Sequence, residues 1–265
     1  HLPRPKPTNH YLKTKTKNID FLWKAQTLNP KITGALKDNY KLIEKYPDKW
    51  DFGPDDTGDI TKLKNIRYYM EQIQNCDLVT FDCGIGFESK TDETYQDKTA
   101  IKINYSQILI ILGGLSLGSN MILKVYLPQA SPYIISLNYI LYCCFEQFFI
   151  YKSIVNPQSS EIYLVGKKMK KKLTNEQLES LIKKRNKVNS DKFLLKIPEK
   201  FLNNYQEIIE KFCQNNIDAI TRFNYYYFNP ELLNDHDLFI RVKRDNARNW
   251  LENFQFKRIN KSDNL

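Results

Sequence analysis

Three residues of this chain have the types and order of a proton-handling site. Asp82 closes the run DLVTFD, Lys124 lies inside MILKVYL, and Glu161 opens EIYLVG. Each run reads as a strand of a buried sheet. Ligands of open α/β sheets sit beyond the carboxyl ends of the strands, so an acid, a lysine and a second acid on three core elements can converge there. A buried lysine needs carboxylate partners, and its pKa moves readily with burial and nearby charge. A lysine poised in this way can take a proton from a hydroxyl group. The resulting oxyanion can then attack an electrophilic carbon in line. The same three types also fit a structural ion pair at a sheet edge, and position alone leaves the two readings even.

The elements that must position these residues alternate. Residues 19–25 (IDFLWKA) read as a short buried strand, followed by a helix around Leu36–Lys45 and the polar loop DKWDFGPDDTGDIT. A helix over 62–75 leads into the strand Asp77–Asp82, and CGIGF follows as a turn. Ile101, Tyr105, Ile108 and Leu112 recur at helical spacing within 94–118. Met121–Leu127 reads as a strand and Pro132–Phe149 as a strongly apolar helix. Phe149–Val155 and Ile162–Gly166 then pair as a hairpin across NPQSSE. Strands alternating with helices argue for a parallel α/β sheet, with the hairpin placing an antiparallel strand at or near its edge. Beyond Lys167 the chain turns basic and then helical, with Thr174 as an N-cap and Gln177 three residues on. Further helices are expected over 199–223 and near 240–256. The division expected is a core over 1–167 and a basic, mainly helical extension over 168–265.

The segments LVTFDCGIG, GGLSLGSNMILKVY and SSEIYLVGKK resemble the FtsJ/RrmJ-type ribose 2'-O-methyltransferases, in the version found in large cytoplasmic DNA viruses. The resemblance covers roughly residues 19–167. It implies a Rossmann-like methyltransferase sheet, S-adenosyl-L-methionine as methyl donor, and a Lys-Asp-Lys-Glu tetrad. Asp82, Lys124 and Glu161 match its last three members. By that match Lys124 is the general base, with Asp82 and Glu161 orienting it and tuning its charge. DDTGDITKLKNI resembles the family stretch whose Asp contacts the cofactor adenine. This implies cofactor contacts at Asp59, at Gly58, which suits a tight turn, and at Asp82. The implied substrate is RNA, at the capped 5' end of mRNA, and no catalytic metal is implied. The family's glycine-rich loop would stand where the chain has HLPRPKP. Leu2 and Pro3 fit that pattern, the glycines do not, and the first tetrad lysine would lie upstream. The chain therefore reads as a fragment or a trimmed form. The alternative function is an inactive methyltransferase-like RNA-binding or scaffold subunit of a capping or virion complex.

Composition agrees with an RNA partner. The 265 residues carry a formal charge of +10, which favours polyanions. Lys167, Lys168, Lys170, Lys171 and Lys172 form a run just after the last strand, and Lys183, Lys184, Arg185 and Lys187 follow on a helix. Such runs usually form a solvated face; as phosphate contacts they would give salt-dependent affinity without sequence choice. FNYYYF at 223–228 fits core, an interface, or base stacking. The five cysteines lack a CxxC and read as reduced, buried thiols of an intracellular protein, in host cytoplasm or virion if the source is viral. The apolar stretches 108–125 and 133–151 are interrupted by Gly, Asn, Lys or Glu, so no membrane partner is expected.

Overall fold

The computed structural model describes residues 22–33, 38, 40–83, 93–153, 157–185, 192–229, and 244, 245 and 248, with side chains from residue 99 in the helix that starts at 93. HLPRPKP, most of CGIGF, Lys187 and most of 240–256 lie outside these. Among the described residues, Leu22–Tyr151 and Glu161–Ile209 form one compact unit. Lys152–Ser160 and the residues from Glu210 onward belong to a second.

The first unit is built on a four-stranded sheet of β3 (Leu78–Phe81), β4 (Asn120–Tyr126), β5 (Phe145–Tyr151) and β6 (Glu161–Met169). Their order is β3-β4-β6-β5. β3 and β4 are parallel, while β6 runs antiparallel to both β4 and β5. β6 is therefore the antiparallel strand near the edge, and β5 is the edge. The connection from β3 to β4 carries helix α4 (Glu93–Gly114), and that from β4 to β5 carries α5 (Pro132–Cys144).

Alternation divides the sheet into two unlike faces. Val79, Met121, Leu123, Val125, Ile162 and Leu164 lie on one face and are buried. α4 lies in this core. Tyr105, Ile108 and Leu112 of the expected stripe are buried, but so are Leu109, Ile110 and Ile111 between them. A helix apolar all round is one enclosed on all sides. α3 (Leu63–Gln72) packs closely on α4, and a side chain at Gly114 would meet the Met70 carbonyl oxygen at 2.4 Å. On the other face the described side chains are half-buried or exposed, among them Thr80, Ile122, Tyr163, Val165 and Phe149. Lys124 is the exception, with 5% of its side chain exposed.

Three sequence expectations change. Of the strand expected at 19–25, residues 22–25 are described, and among them strand begins only at Ala25, in β1 (Ala25–Gln26), paired in parallel with β2 (Trp50–Asp51); Leu22 is 90% exposed. Two residues of partner strand cannot hold a longer ladder. The second change concerns the expected helix around Leu36–Lys45. Its described part contains only α2 (Leu42–Lys45), after a short α1 at Pro30–Thr33. The apolar helix from Pro132 stops at Cys144, and Phe145 is already extended, opening β5. No Gly or Pro marks this junction. The aromatic run FEQFFIY nevertheless suits a strand. No helix of the described residues is long and apolar enough to cross a membrane.

The expected junction at 167/168 falls inside β6, and α6 (Asn175–Lys184), just beyond it, belongs to the same unit. Thr174 and Gln177 form the expected capping box. Leu181 and Ile182 are buried, the Leu181 carbonyl accepts from Tyr105 Oη at 2.5 Å, and Arg67 grips Glu179 through both nitrogens at 2.9 and 3.0 Å. α7 (Glu199–Phe228) begins in this unit and continues in the second. In the second unit Asn216 Nδ2 donates to the Pro157 and Ser159 carbonyls, both at 3.0 Å. Phe223, Tyr225, Tyr227 and Phe228 are all more than half exposed there.

Candidate active site

The register of the sheet brings the three sequence-singled residues together. Phe81 pairs with Leu123 in parallel, so the next residue, Asp82, stands beside Lys124. Antiparallel pairing puts Tyr126 opposite Glu161 and Lys124 opposite Tyr163. Lys124 Nζ forms an ion pair with Asp82 Oδ1 and lies 3.6 Å from Glu161 Oε1. The carboxylates are about a third exposed, at 31% and 34%. The site is thus a buried ammonium reached from solvent through its two acids.

Burial alone would disfavour the ammonium. Hydrogen bonding to Asp82, with the charges of Asp82, Tyr126 and Glu161, outweighs it and holds the Lys124 pKa above the ordinary lysine value. Lys124 is therefore protonated at neutral pH in the ligand-free chain. The Tyr126 ring stands 5.6 Å from Nζ, close enough for a cation–π contact. Burial, followed by Glu161 and Asp82, raises the Tyr163 pKa, so its phenol stays a donor. Burial and the Asp82 charge push the Cys83 thiol up to about 11, which removes it as a nucleophile at neutral pH.

Tyr126 and Tyr163 did not stand out in the sequence. The signal was the alternation itself: K-V-Y in β4 and E-I-Y in β6 put each tyrosine on the face of the charged residue two positions away. A polar lock behind the site was also missed. Gln129 Nε2 donates to the Tyr126 carbonyl at 2.7 Å, Tyr205 Oη to the Gln129 carbonyl at 3.0 Å, and Asn138 Nδ2 to Tyr205 Oη at 2.8 Å. Asn138, Gln129 and Tyr205 are all buried. Together they fix the turn that follows Lys124 and Tyr126.

Gly58 and Asp59 sit in a separately braced loop. Gly58 has φ +66°, and a Cβ there would lie 1.8 Å from the Thr27 carbonyl oxygen. Gly58 N donates to the Phe52 carbonyl at 2.6 Å, and Gln26 Nε2 donates to the Gly58 carbonyl. Asn29 secures the same loop through its backbone N to the Thr57 carbonyl and its Nδ2 to the Asp56 carbonyl, both at 2.9 Å. Asn65, fully buried, donates to Asp55 Oδ1 and the Asp59 carbonyl at 2.9 Å. Asp59 Oδ1 accepts from Thr61 N at 2.9 Å and Thr61 Oγ1 at 2.7 Å. Oδ2 is left without a partner among the described residues. A half-buried carboxylate with one oxygen fixed and one available fits an amino group of a planar ligand.

The lysine run lies elsewhere. Six residues of extended strand put Lys167 about 20 Å along β6 from Glu161. The run thus starts well down the strand from the ion-paired site. Lys168, at φ +53°, meets Glu146 at 3.7 Å. The backbone nitrogens of Lys170 and Lys171 donate to the Cys144 carbonyl.

Residues 16–169 match the FtsJ-like methyltransferase family. The chain belongs to that family. It is 36% identical over 231 residues to an uncharacterized protein of Acanthamoeba polyphaga mimivirus, covering 84% of this chain and 29% of that protein. It is 30% identical over 167 residues to the cap-specific mRNA (nucleoside-2'-O-)-methyltransferase 2 of Danio rerio, covering 59% and 22%. A probable methyltransferase of African swine fever virus is 30% identical over 190 residues, covering 66% and 44%. The chain thus spans less than half the length of each of these relatives. The family match includes both the ion-paired site and the Gly58–Asp59 loop.

Proposed function

We propose that the chain transfers a methyl group from S-adenosyl-L-methionine to a ribose 2'-oxygen of RNA, at the capped 5' end of mRNA. The observation that carries this reading is the buried Lys124 ammonium held between Asp82 and Glu161 in a chain of the FtsJ-like family. The curated name of one relative supports a cap-proximal 2'-oxygen. Two other relatives are viral, which supports a viral setting.

When bound, S-adenosyl-L-methionine supplies a methyl group on a sulfonium centre. Asp59 would take its adenine amino group through the available Oδ2, on the turn that Gly58 permits. Lys124 has three donor directions. Asp82 and Glu161 take two, and the third is free to meet the 2'-hydroxyl. Methyl transfer to the 2'-oxygen would exchange the donor's S–CH3 bond for an O–CH3 bond, and the hydroxyl proton would have to leave. Lys124 can receive it only as the neutral amine, and its raised pKa makes that form scarce in the ligand-free chain. A cationic centre nearby favours the neutral amine, so substrate assembly and deprotonation of Lys124 are coupled. Tyr163, kept protonated, remains a neutral donor beside the acids.

The test is transfer of a labelled methyl group to capped RNA by this chain, with Lys124→Ala beside it. Activity that is unchanged by the substitution would remove Lys124 from the chemistry.

A further inference from the structure

The half-open face of the sheet forms a continuous track. Along β6 the residues Glu161, Tyr163, Val165 and Lys167 alternate onto it, so acid, aromatic, aliphatic and cation follow at steps of about 7 Å. The pairing of β5 with β6 sets Tyr151 beside Tyr163, Phe149 beside Val165, and Gln147 beside Lys167. One cross-strand row therefore reads Asp82, Lys124, Tyr163, Tyr151. It runs from the ion-paired site to the sheet edge in two strand spacings beyond Lys124, roughly 10 Å. Phe149 and Tyr151 are each 46% exposed there, and Lys167 Nζ lies 5.8 Å from the Phe149 ring centroid. The opposite side of β5 is the one that packs: Phe148 meets the Tyr142 ring.

We propose that this track holds the single-stranded RNA flanking the methylated nucleotide. Bases stack on Tyr151 and Phe149, while phosphates pass Lys167 toward Lys170, Lys171 and Lys172. This rests on the assignment of Lys124 to RNA methylation. Two arguments select RNA as the occupant. The exposed rings share a face and a cross-strand row with the site, and the track ends in cations, so its far end complements the phosphates of a polyanion. Rings beside a positively charged groove are how single strands are held without sequence choice. The track also gives the distant lysine run a role that adjacency to the triad cannot.

The experiment measures binding of a labelled, capped 12-nucleotide RNA and of a capped dinucleotide by fluorescence anisotropy, with methyl transfer to the saturating dinucleotide in parallel. Phe149→Ala with Tyr151→Ala should weaken the 12-mer about tenfold or more. Dinucleotide methylation should be retained, and thermal melting should fall only modestly, since each ring is about half buried. Tyr151→Trp should retain 12-mer affinity. Lys167→Ala should lower the salt slope of 12-mer binding by about 0.7, one phosphate contact on a single strand. Wild-type 12-mer affinity in the double variant overturns the proposal. So does a self-associated wild-type chain that the double variant converts to monomer in sedimentation, which would make this edge an interface between copies. Failure of the methylation reading looks different: the wild-type chain would methylate neither RNA, while the length-dependent binding is still measured separately.

Discussion

Lys124 and Lys167 stand on neighbouring strands of one sheet, and alternation puts both on the same face. Lys124 has 5% of its side chain exposed and is held by two carboxylates. Lys167 is exposed and leans over an aromatic ring. The same side chain is in one place a candidate proton-handling group and in the other an exposed charge. Burial is the difference. In the sheet interior an ammonium must be paired, and its proton then answers to its neighbours. At the strand's far end water screens the charge, and what remains is long-range attraction for anions.

The comparison is broken most directly at Lys124. Lys124→Ala should reduce methyl transfer by a factor of about 10² to 10⁴, the usual scale for a positioned acid–base group. RNA affinity should stay within about twofold. A matching loss of affinity would mean that Lys124 merely attracts RNA, the role proposed for Lys167.

Asp82→Asn tests what sets the protonation state. A lysine held above its ordinary pKa is almost wholly protonated at pH 7, so a reaction needing the neutral amine should speed up as pH rises, approaching tenfold per unit. Removing Asp82 lowers the Lys124 pKa, so the rise should flatten at lower pH, while loss of orientation reduces the maximal rate. The ammonium also loses its nearest counter-charge. Because Asp82 is about a third exposed, we expect a stability loss of about 2 kcal/mol rather than the 3–5 of a fully buried pair, read by urea unfolding. A pH–rate profile that keeps its wild-type shape would show that Asp82 does not tune Lys124.

Gly58→Ala strikes the second braced region. A Cβ 1.8 Å from the Thr27 carbonyl forces the loop to move, at a cost of about 1–3 kcal/mol. S-adenosyl-L-methionine affinity, measured by calorimetry, should fall about tenfold, with Lys124 chemistry at saturating cofactor little affected. Unaltered cofactor affinity would dissociate the Asp59 loop from the cofactor.

Smaller effects belong to the exposed end. Lys170→Ala, Lys171→Ala and Lys172→Ala together should reduce the salt slope of RNA binding by about two and leave the rate at saturating RNA intact. Thr174→Ala removes half of the capping box that starts α6 and should cost about 1 kcal/mol in thermal unfolding. Loss of methyl transfer beyond that stability change would tie α6 to the site.

Much of the first unit was legible because its signals are local. The DLVTFD strand, the helix after DDTGDIT, the alternation in MILKVYL and the Thr174 capping box each depend on residues within one or two turns. The misread elements depend on partners. IDFLWKA looks like a core strand, yet among its described residues only Ala25 finds a neighbour strand, at Trp50. The helix from Pro132 and strand β5 form one apolar run, and only pairing with β6 decides that the run changes conformation at Phe145. Asn138 and Tyr205 are ordinary polar residues in sequence, 67 positions apart, and become a lock because folding buries them against Gln129.

By itself the sequence singled out the residues proposed to carry the chemistry: the acid ending one strand, the lysine within the next, the acid opening a later one, and the glycine–aspartate turn. Residue type and short-range pattern suffice for that, because they fix what a side chain can donate, accept or ionise. Only the tertiary structure decided what those residues share. Parallel register set Asp82 beside Lys124, and antiparallel register brought Glu161 back to it. The extended rise of β6 set Lys167 about 20 Å from Glu161. Register follows from which faces are buried together, and no stretch of chain contains its own partner strand.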